Sequence, residues 1–380
     1  MKVALISDLH FGIKKSDTTF QKSQLRFFEK QLVEELKMRD VNTIFVLGDV
    51  FDTRQAINVM TNNVVLKLFA NTFKDFDIHM IVGNHDLYYT DTTEVNSLKQ
   101  LDLLPNVTVY EKPCTKKFAG HDITFLPWIT NYEQAKLPTS EYCFAHLDVT
   151  GFMMDRVNMC SNGISVRKLA SSFKNVYTGH FHTRSKKRIG TCNIEYIGSP
   201  YQLTRIDAGQ DRGCTILDLD TNETELIVNT VSIKYIKIAY PNVPDNLHEL
   251  AHNNIVDVDI PYELSDESAN IVNYMQQITA ANPVTVTQVI GKKPDLTIEH
   301  EEDLSNIDLF SLFKSYTDQL KANNKEEIYT ELIDLYNTFK RRIDKWNRKQ
   351  LRLKMVKLKA FTNTLCNSCS KKVSLLNIHI

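Results

Sequence analysis

The segment Lys2-Val-Ala-Leu-Ile-Ser-Asp-Leu-His10 opens the chain and decides its fold. A short apolar run suited to a buried strand is followed at once by a carboxylate and an imidazole. The same order recurs in Thr43-Ile-Phe-Val-Leu-Gly-Asp49 and in Ile78-His-Met-Ile-Val-Gly-Asn-His-Asp86. An α/β sheet places its binding loops at the carboxyl ends of its strands. We predict buried strands over Lys2–Ser7, Thr43–Leu47 and Ile78–Val82.

Helical patterns separate these strands. Gln21–Met38 and Val59–Phe73 have the apolar spacing of helices, and the alternation of strand and helix predicts a layered α/β sandwich. After Gly120 the pattern becomes more hairpin-like, with a hairpin predicted over Gly213–Val228. The short strands predicted in this part are Asp122–Leu126, Tyr142–Ala145, Val176–Thr178 and Ile194–Ile197.

Three later motifs, Phe-Ala-His146-Leu, Thr-Gly-His180-Phe-His182 and Ile197-Gly-Ser-Pro-Tyr201, continue this series. Oxygen and imidazole donors at strand ends are the layout of a two-metal phosphoesterase, whose ions, about 3.5–4 Å apart, clamp the attacking and leaving oxygens. Mixed imidazole and carboxylate ligands favour manganese, iron or zinc over magnesium, and we predict two Mn²⁺ ions. The predicted ligands are Asp8, His10, Asp49, Asn84, His146, His180 and His182.

One ligand has to bridge the two ions, and a carboxylate has two oxygens for this. Asp49 is predicted as the bridge because it ends a strand pattern and because Gly48 lets the backbone turn tightly beside the ions. Two divalent ions and two aspartates leave a charge of about +2, which one hydroxide and one phosphodiester would neutralise. The first ion is assigned to Asp8, His10 and His182, and the second to Asn84, His146 and His180.

His85 is predicted as the general acid. It follows a predicted ligand, and we expect Asn84 to point to the metal, His85 to face the substrate and Asp86 to orient the His85 ring. An imidazole with an ordinary pKa of about 6.5 can protonate a leaving sugar oxygen at neutral pH.

Each of these motifs is weak by itself. A lone histidine is more often a surface or core residue, and Gly-Asp pairs commonly just form turns. The conjunction of the motifs in one order favours the catalytic interpretation. The remaining histidines lack such partners and are interpreted as non-functional: His79, His121, His248, His252, His300 and His379.

The combined motifs resemble those of the calcineurin-like metallophosphoesterases: Asp8-Leu-His10, Gly48-Asp49, Gly83-Asn84-His85-Asp86, His146 and Gly179-His180-Phe181-His182. Other features resemble the SbcD-type DNA double-strand-break nucleases, and especially the recombination endonuclease subunits of T-even-like phages. These features are Phe11-Gly12, the run from Gly48 to Arg54, Leu126-Pro127-Trp128 and the run from Tyr196 to Leu203.

The resemblance implies a four-layer α/β/β/α metallophosphoesterase sandwich with a small α+β capping domain and a C-terminal helical arm. It also implies an SbcC-type coiled-coil ATPase as partner, and double-stranded DNA ends and single-stranded DNA as substrates. A homodimer is implied through helices that correspond to residues 59–73 and roughly 94–101. Apolar residues are available there, although core packing explains them equally well: Val64, Val65, Leu68 and Phe69.

Asp52 departs from the pattern of many cellular relatives, which carry histidine at this position. Two interpretations stay open. Asp52 either assists His85 or caps the following turn, since aspartate commonly begins helices and turns. The second interpretation is slightly favoured.

Three domains are predicted: residues 1–230 as the nuclease domain, 232–297 as the capping domain, and 304–380 as a helical ATPase-binding arm with a basic tail. The capping domain shows a β-β-α-β pattern punctuated by prolines. In the family such a module caps the cleft and engages DNA, and the alternative is a stabilising appendage. The arm shows helical spacing with one apolar stripe, and the alternative is that its helices pack onto their own chain.

Composition agrees with a cytoplasmic enzyme. The 380 residues are 42% hydrophobic, which is enough for a real core. Neither a signal peptide nor a membrane span is predicted, because the first apolar run is interrupted by Asp8 and His10. Seven cysteines at irregular spacing fit a reducing compartment. Cys366 and Cys369 have zinc-ligand spacing without a second pair, so two free thiols are favoured.

Charge gives a local indication only. The net charge of −1 does not by itself indicate binding to nucleic acid. Basic residues nevertheless follow two of the metal motifs and suggest phosphate contacts, although a charge run is more often a solvated face. They are Lys14, Lys15, Arg184, Lys186, Lys187 and Arg188.

These observations lead to one functional hypothesis. The chain is predicted to be the nuclease subunit of an SbcCD-like complex, an exonuclease and endonuclease that hydrolyses phosphodiester bonds at DNA ends in recombination, repair or phage replication. One alternative is a small-molecule phosphodiesterase or phosphatase of the same superfamily. A second is a non-catalytic DNA-end scaffold, which is disfavoured because every expected ligand is present.

Overall fold

A computed structural model describes residues 1–132, 134–154 and 158–291, together with nine isolated positions between 314 and 333. The chain divides into two compact units, Met1–Lys293 and Pro294–Ile380. The first unit contains three sheets, two of six strands and one of three.

The first sheet contains the strands that carry the opening motifs. Four of its strands pair in parallel. Three of them are the predicted buried strands, and the fourth, Val107–Tyr110, was not predicted. The hairpin predicted at Gly213–Val228 is confirmed and adds two antiparallel strands at one edge. From that edge, the strands are Glu223–Val228, Gly213–Asp218, Lys2–Ile6, Thr43–Val46, Asp77–Ile81 and Val107–Tyr110.

The second sheet differs from the hairpin-like expectation. Its four inner strands pair in parallel, and only its two edge pairs are antiparallel. Each inner strand is buried at most of its positions, as in sheets that are covered on both faces. In spatial order the strands are Cys114–Phe118, His121–Leu126, Ser140–His146, Phe173–Gly179, Cys192–Tyr196 and Ser185–Ile189.

The predicted helices cover the outer face of the first sheet. One continuous helical segment comprises Thr18–Phe27, a π-helical turn at Phe28–Leu32 and Val33–Met38, and the other comprises Val59–Lys67 and Leu68–Thr72. Their apolar side chains share one core with the strands beneath them. Val65, Leu68 and Phe69 are fully or almost fully buried in this core, so packing within the chain accounts for them.

The two six-stranded sheets face each other across a second core. Phe45 of the first sheet contacts rings of the second, with centroid distances of 5.1 Å to Phe125 and 4.7 Å to Phe144. The far face of the second sheet packs against helix Val166–Ala170 and the chain around Phe152. The expected α/β/β/α order is therefore confirmed.

A third sheet forms a small module with its own core after residue 232. All of its strands are parallel, so each connection needs a crossover. The sequence pattern indicated the second crossover helix and missed the first, which is only five residues long. The elements are Tyr235–Ala239, Leu247–Ala251, Ile255–Ile260, Ser268–Ala280 and Thr285–Ile290.

Several hydrogen bonds join this module to the rest of the unit, and two of them involve basic side chains. Arg205 donates from Nε to the Asp257 carboxylate at 2.9 Å, and Lys14 Nζ donates to the Tyr235 hydroxyl. Lys14 also lies over the Phe20 and Tyr235 rings. The capping module is thus attached next to the segment that follows His10.

The predicted arm, residues 304–380, lies almost entirely outside the described residues, as do Cys366 and Cys369. The few described positions of the second unit are helical, and Lys314 pairs there with Glu326. None of the helices in the described part of the chain has the length and hydrophobicity that crossing a bilayer requires. The domain boundaries stay a prediction.

Replacing Phe45 with alanine should lower the free energy of unfolding by about 3–5 kcal/mol, because it removes a fully buried ring between two sheets. Leu103→Ala is the matched control, since Leu103 is 84% exposed, and should stay within about 0.5 kcal/mol of the parent. Urea unfolding followed by circular dichroism measures both variants. Equal stability of the two would contradict the described core.

Candidate metal centre

All seven predicted ligands come together where strands of the two six-stranded sheets end. Asp8, Asp49 and Asn84 follow strands of the first sheet, and His146 and His180 lie at strand ends of the second. The carboxylates are deeply buried, with exposures of 0% for Asp8 and 1% for Asp49. Folding therefore gathers these side chains at a single edge, as the sequence predicted.

Asp8, His10 and His182 form the first group. Their ligand atoms lie within 4.8 Å of one another, and the Nε2 atoms of His10 and His182 face each other at 3.1 Å. Burial, together with the neighbouring His10, lowers the pKa of His182 to about 4. At neutral pH this ring is uncharged, so a nitrogen lone pair is available for a cation.

Asp49, His146 and His180 form the second group, again within 4.8 Å. The Asn84 side-chain oxygen lies 2.9 Å from His146 Nε2. Asp49 Oδ2 is 3.4 Å from His146 Nε2 and 3.7 Å from His10 Nε2. The Asp49 carboxylate therefore faces donors of both groups, which is the geometry that a bridging ligand needs.

Asp49 and His146 are an ionised pair in the metal-free protein. Burial opposes charge on both groups, but the Asp49 carboxylate outweighs burial at His146 and raises its pKa to about 9. In turn His146 and His10 hold the pKa of Asp49 well below its usual range, against the effect of burial. A cation that binds here would take the place of the proton on His146.

The side chains fit a pair of divalent ions. Within the described residues, neither Asp8 nor Asp49 forms an ion pair with lysine or arginine, although buried carboxylates need a compensating charge. Main-chain N–H groups of His180 and His85 donate to Asp8 and Asp49, and the imidazoles of His146 and His10 lie 3.4 and 3.7 Å from Asp49 Oδ2. Such mixed nitrogen and oxygen donors suit first-row transition metals.

His85 lies beside the two groups and forms a further cluster with His10 and Asp52, whose ligand atoms lie within 4.8 Å of one another. Its Nδ1 is 2.6 Å from the Asp52 carbonyl oxygen, and its ring centroid is 4.8 Å from that of His10. Its backbone N–H donates to Asp49 Oδ1 at 2.8 Å. The ring is thus oriented by the main chain of Asp52, and the half-buried side chain can reach a molecule in the site.

The expectation that Asp86 orients the His85 ring is wrong. The Asp86 carboxylate is buried and accepts hydrogen bonds from the main-chain N–H groups of Gly83, Asp49 and Val50, at 3.0, 2.8 and 3.0 Å. Burial and the nearby Asp49 carboxylate raise the pKa of Asp86 to about 6. Adjacent residues of a tight loop point in different directions, so Asp86 organises the backbone and Asp52 positions the ring.

Asp52 and Asp148 each hold the second nitrogen of a predicted ligand. Asp52 Oδ1 is 3.1 Å from His10 Nδ1, and Asp148 Oδ1 is 2.8 Å from His180 Nε2. Such carboxylates fix the tautomer and orientation of a metal-binding imidazole. From the sequence, a role for Asp52 as a turn cap is slightly favoured. In the structure its carboxylate instead contacts His10. Sequence reasoning missed Asp148, although its place two residues after His146 was a usable signal.

The backbone at the site is unusual. Asp8, His10, Asp49 and His180 have φ values of 56°, 43°, 55° and 95°, in the left-handed region that few residues other than glycine adopt. Gly48 is required by close packing as well, because a β-carbon there would lie 2.6 Å from His146 Nδ1. Strain held at such a cluster is typical of functional sites.

The basic residues near the site have different surroundings. Arg184 is turned inward and donates to Glu195 Oε1 at 3.0 Å and to the Ile197 carbonyl at 2.8 Å, so it serves the fold. Lys14 donates from Nζ to the Tyr235 hydroxyl of the capping module. Lys186, Lys187 and Arg188 are exposed on an edge strand of the second sheet, where contact with a phosphate is sterically possible.

Asp86→Ala should lower the free energy of unfolding by about 3 kcal/mol or more, because three buried N–H donors lose their acceptor. Asp86→Asn keeps one acceptor oxygen and should lose less. Chemical denaturation in the presence of a chelator measures both, so that metal binding does not contribute. An Asp86→Ala protein as stable as the parent would show that these hydrogen bonds are dispensable.

Known proteins are similar to this chain in sequence. The calcineurin-like phosphoesterase family matches residues 1–187, which include all seven predicted ligands. Exonuclease subunit 1 of Enterobacteria phage T4 is 34% identical over 250 residues, covering 63% of this chain and 71% of the phage protein. Putative phosphoesterase 078R of Invertebrate iridescent virus 3 is 22% identical over 356 residues, covering 84% of this chain and 97% of that protein.

A solved structure described as a novel archaeal phosphodiesterase is 15% identical, with a TM-score of 0.34, and covers 60% of this chain and 99% of its own. The family match covers residues 1–187, and the phage protein is 34% identical over 71% of its own length. The chain therefore belongs to the calcineurin-like phosphoesterase family.

Proposed function

We propose that this phosphoesterase is a DNA nuclease with two manganese ions, which hydrolyses phosphodiester bonds at DNA ends during recombination, repair or phage replication. The observation that carries the proposal is the position of Asp49, whose carboxylate faces histidines of both donor groups. The name of the T4 relative, an exonuclease subunit, favours a nucleic acid as the substrate.

Seven side chains would hold the ions. Asp8, His10 and His182 are assigned to the first ion, Asn84, His146 and His180 to the second, and Asp49 to both. When bound, the ion pair supplies positive charge for the transferring phosphoryl group and activates water at neutral pH. Asp52 and Asp148 keep His10 and His180 in position, so the chain presents its donors without further rearrangement.

His85 is proposed as the general acid. The Asp52 carbonyl oxygen faces His85 Nδ1 and can only accept a hydrogen bond. In the neutral ring the single proton therefore lies on Nδ1. The protonated ring carries a second proton on Nε2, which can pass to the leaving sugar oxygen. Asp86 acts indirectly in this proposal, by holding the loop from which His85 projects.

DNA is favoured over a small ester by the surroundings of the centre. The carboxylates are buried, while His85, His180 and His182 are partly exposed, so the site opens toward solvent rather than into a closed cavity. Exposed cations lie on the nearby edge strand. The five cysteines in the described part of the chain are free thiols, which suits the cytoplasm, where such a nuclease would meet DNA.

A substrate comparison tests the function. The purified chain is incubated with linear duplex DNA, single-stranded DNA and bis-p-nitrophenyl phosphate, in manganese or in chelator. We expect manganese-dependent hydrolysis of all three, abolished by the chelator. Turnover of the small ester alone would favour a small-molecule phosphodiesterase, and no turnover at all a DNA-end scaffold.

His85→Ala should reduce the rate of DNA cleavage by about 10²–10⁴-fold, the range that general acid catalysis contributes. Manganese binding, measured by calorimetry, should stay at the parental stoichiometry because His85 lies outside both donor groups. His182→Ala is the control that should lose metal and activity together. A similar loss of manganese in the His85 variant would make His85 a ligand and reject the assignment.

An ATPase partner and a homodimer complete the proposal. The T4 relative is named a subunit, and we propose that residues 304–380 form the arm that binds an SbcC-type coiled-coil ATPase. Deleting these residues should abolish co-purification with the ATPase and leave cleavage of short single strands intact. Unchanged co-purification would reject the arm.

Sedimentation equilibrium should give a dimer through residues 59–73, and a monomer would reject that contact.

A further inference from the structure

A cleft of about 360 Å³ lies next to the candidate metal centre. Trp128 lines it, and the Trp128 ring centroid is 5.0 Å from that of His180 and 5.9 Å from that of His146. The backbone N–H of Trp128 donates to the Val82 carbonyl, directly before the loop that carries His85. One wall of the cleft is therefore a large aromatic side chain packed onto two predicted ligands.

The remaining walls suit a flat and uncharged group. Ile129 and Leu137 add apolar surface. The charged lining residues comprise three carboxylates and two lysines, and one of those lysines, Lys112, already lies 3.7 Å from Glu94. Glu111 likewise pairs with Lys99, 3.0 Å apart, so the lining carries no net positive charge that would hold a phosphate group. Asp91 and Glu94 can instead accept hydrogen bonds from amino groups.

We propose that this cleft binds a single unpaired nucleobase of the DNA, adjacent to the phosphate held at the metal centre. This inference rests on the proposed nuclease function and names a subsite for it. Bases splayed out of a strand stack on aromatic side chains, and exocyclic amino groups match the carboxylates. The volume lies in the usual range of small-molecule sites, about 300–1,000 Å³.

The position of the cleft determines which part of the substrate enters it. Trp128 touches the second donor group, so a base stacked there belongs to a nucleotide directly bonded to the phosphate under attack. Duplex DNA keeps that base paired, and the terminal base pair has to open before the base can enter. The cleft thus favours frayed ends and single strands over intact duplex.

Binding of two probes measures the contribution of the base. Calorimetry with the manganese-loaded chain compares 2′-deoxyadenosine 5′-monophosphate with 2-deoxyribose 5-phosphate, which lacks the base. We expect the nucleotide to bind on the order of tenfold more tightly, as one stacked base would give. Equal affinities would overturn the proposal, because the phosphate alone would then account for binding.

Ala135→Phe fills the cleft from a lining position that contacts none of the predicted ligands in the described structure. This variant should lose the preference for the nucleotide while it keeps its affinity for the sugar phosphate. Thr139→Phe is the matched control, since Thr139 is exposed in the same loop and outside the cleft, and it should retain the preference. Retention of the preference in both variants would contradict the assigned cleft.

Fluorescence gives an independent measure. The chain has two tryptophans, so Trp346→Phe leaves Trp128 as the sole indole. Stacking of 2′-deoxyadenosine 5′-monophosphate should quench its emission, whereas 2-deoxyribose 5-phosphate should not. Quenching by neither probe would overturn the proposal even if the filled variant failed to fold.

Cleavage assays separate this inference from the nuclease proposal. The parental chain should cut single strands with a terminal abasic nucleotide on the order of tenfold more slowly than intact strands. Equal rates would reject the base site and leave the nuclease function standing. If no DNA were cut, the nuclease function would fail, and the two binding comparisons would still decide whether the cleft takes a base.

Discussion

The burial of Asp49 between two sheets is the constraint on which the rest of the structure depends. A carboxylate with 1% exposure needs hydrogen bonds and positive charge. The His85 N–H supplies one hydrogen bond, and His146 and His10 supply the charge until a metal binds. Asp86 in turn holds the backbone N–H of Asp49. The loop that carries Asp49 and the loop that carries His85 and Asp86 are thus joined by hydrogen bonds in both directions. Replacing either carboxylate would disturb the other loop.

Much of this arrangement was predictable from the sequence, because the end of a buried strand is marked by the change from an apolar run to polar residues. Short apolar runs followed by Asp8, Asp49 and Asn84 predicted donors at one sheet edge, and the structure places each of the three next to a predicted histidine ligand. The orientation of side chains within a loop was not predictable, which explains why the role of Asp86 was misassigned. Asp148 was missed because, apart from its place two residues after His146, a carboxylate that contacts only the second nitrogen of a ligand looks like any other loop carboxylate in the sequence. Pairing inside the second sheet was also misjudged, since short buried strands look alike in parallel and antiparallel sheets.

The capping module is tied to the segment that follows His10. Lys14 contacts Tyr235, the first residue of the module's first strand, and Arg205 contacts Asp257 in the second. A displacement of the module would therefore also move the segment around Lys14, which directly follows the predicted ligands Asp8 and His10. This linkage gives a physical route by which a molecule bound to the module alters the centre, and Trp128 provides a second contact surface on the opposite donor group.

The left-handed backbone at four donor positions also limits the chemistry that the centre can acquire. Asparagine, aspartate and histidine tolerate positive φ better than other residues with side chains, whereas β-branched residues do not. Asparagine, aspartate, histidine and glycine are accordingly the replacements that the backbone accepts most readily at Asp8, His10, Asp49 and His180. Attempts to re-engineer the metal preference by introducing threonine or valine there would meet a conformational barrier before any question of coordination arises.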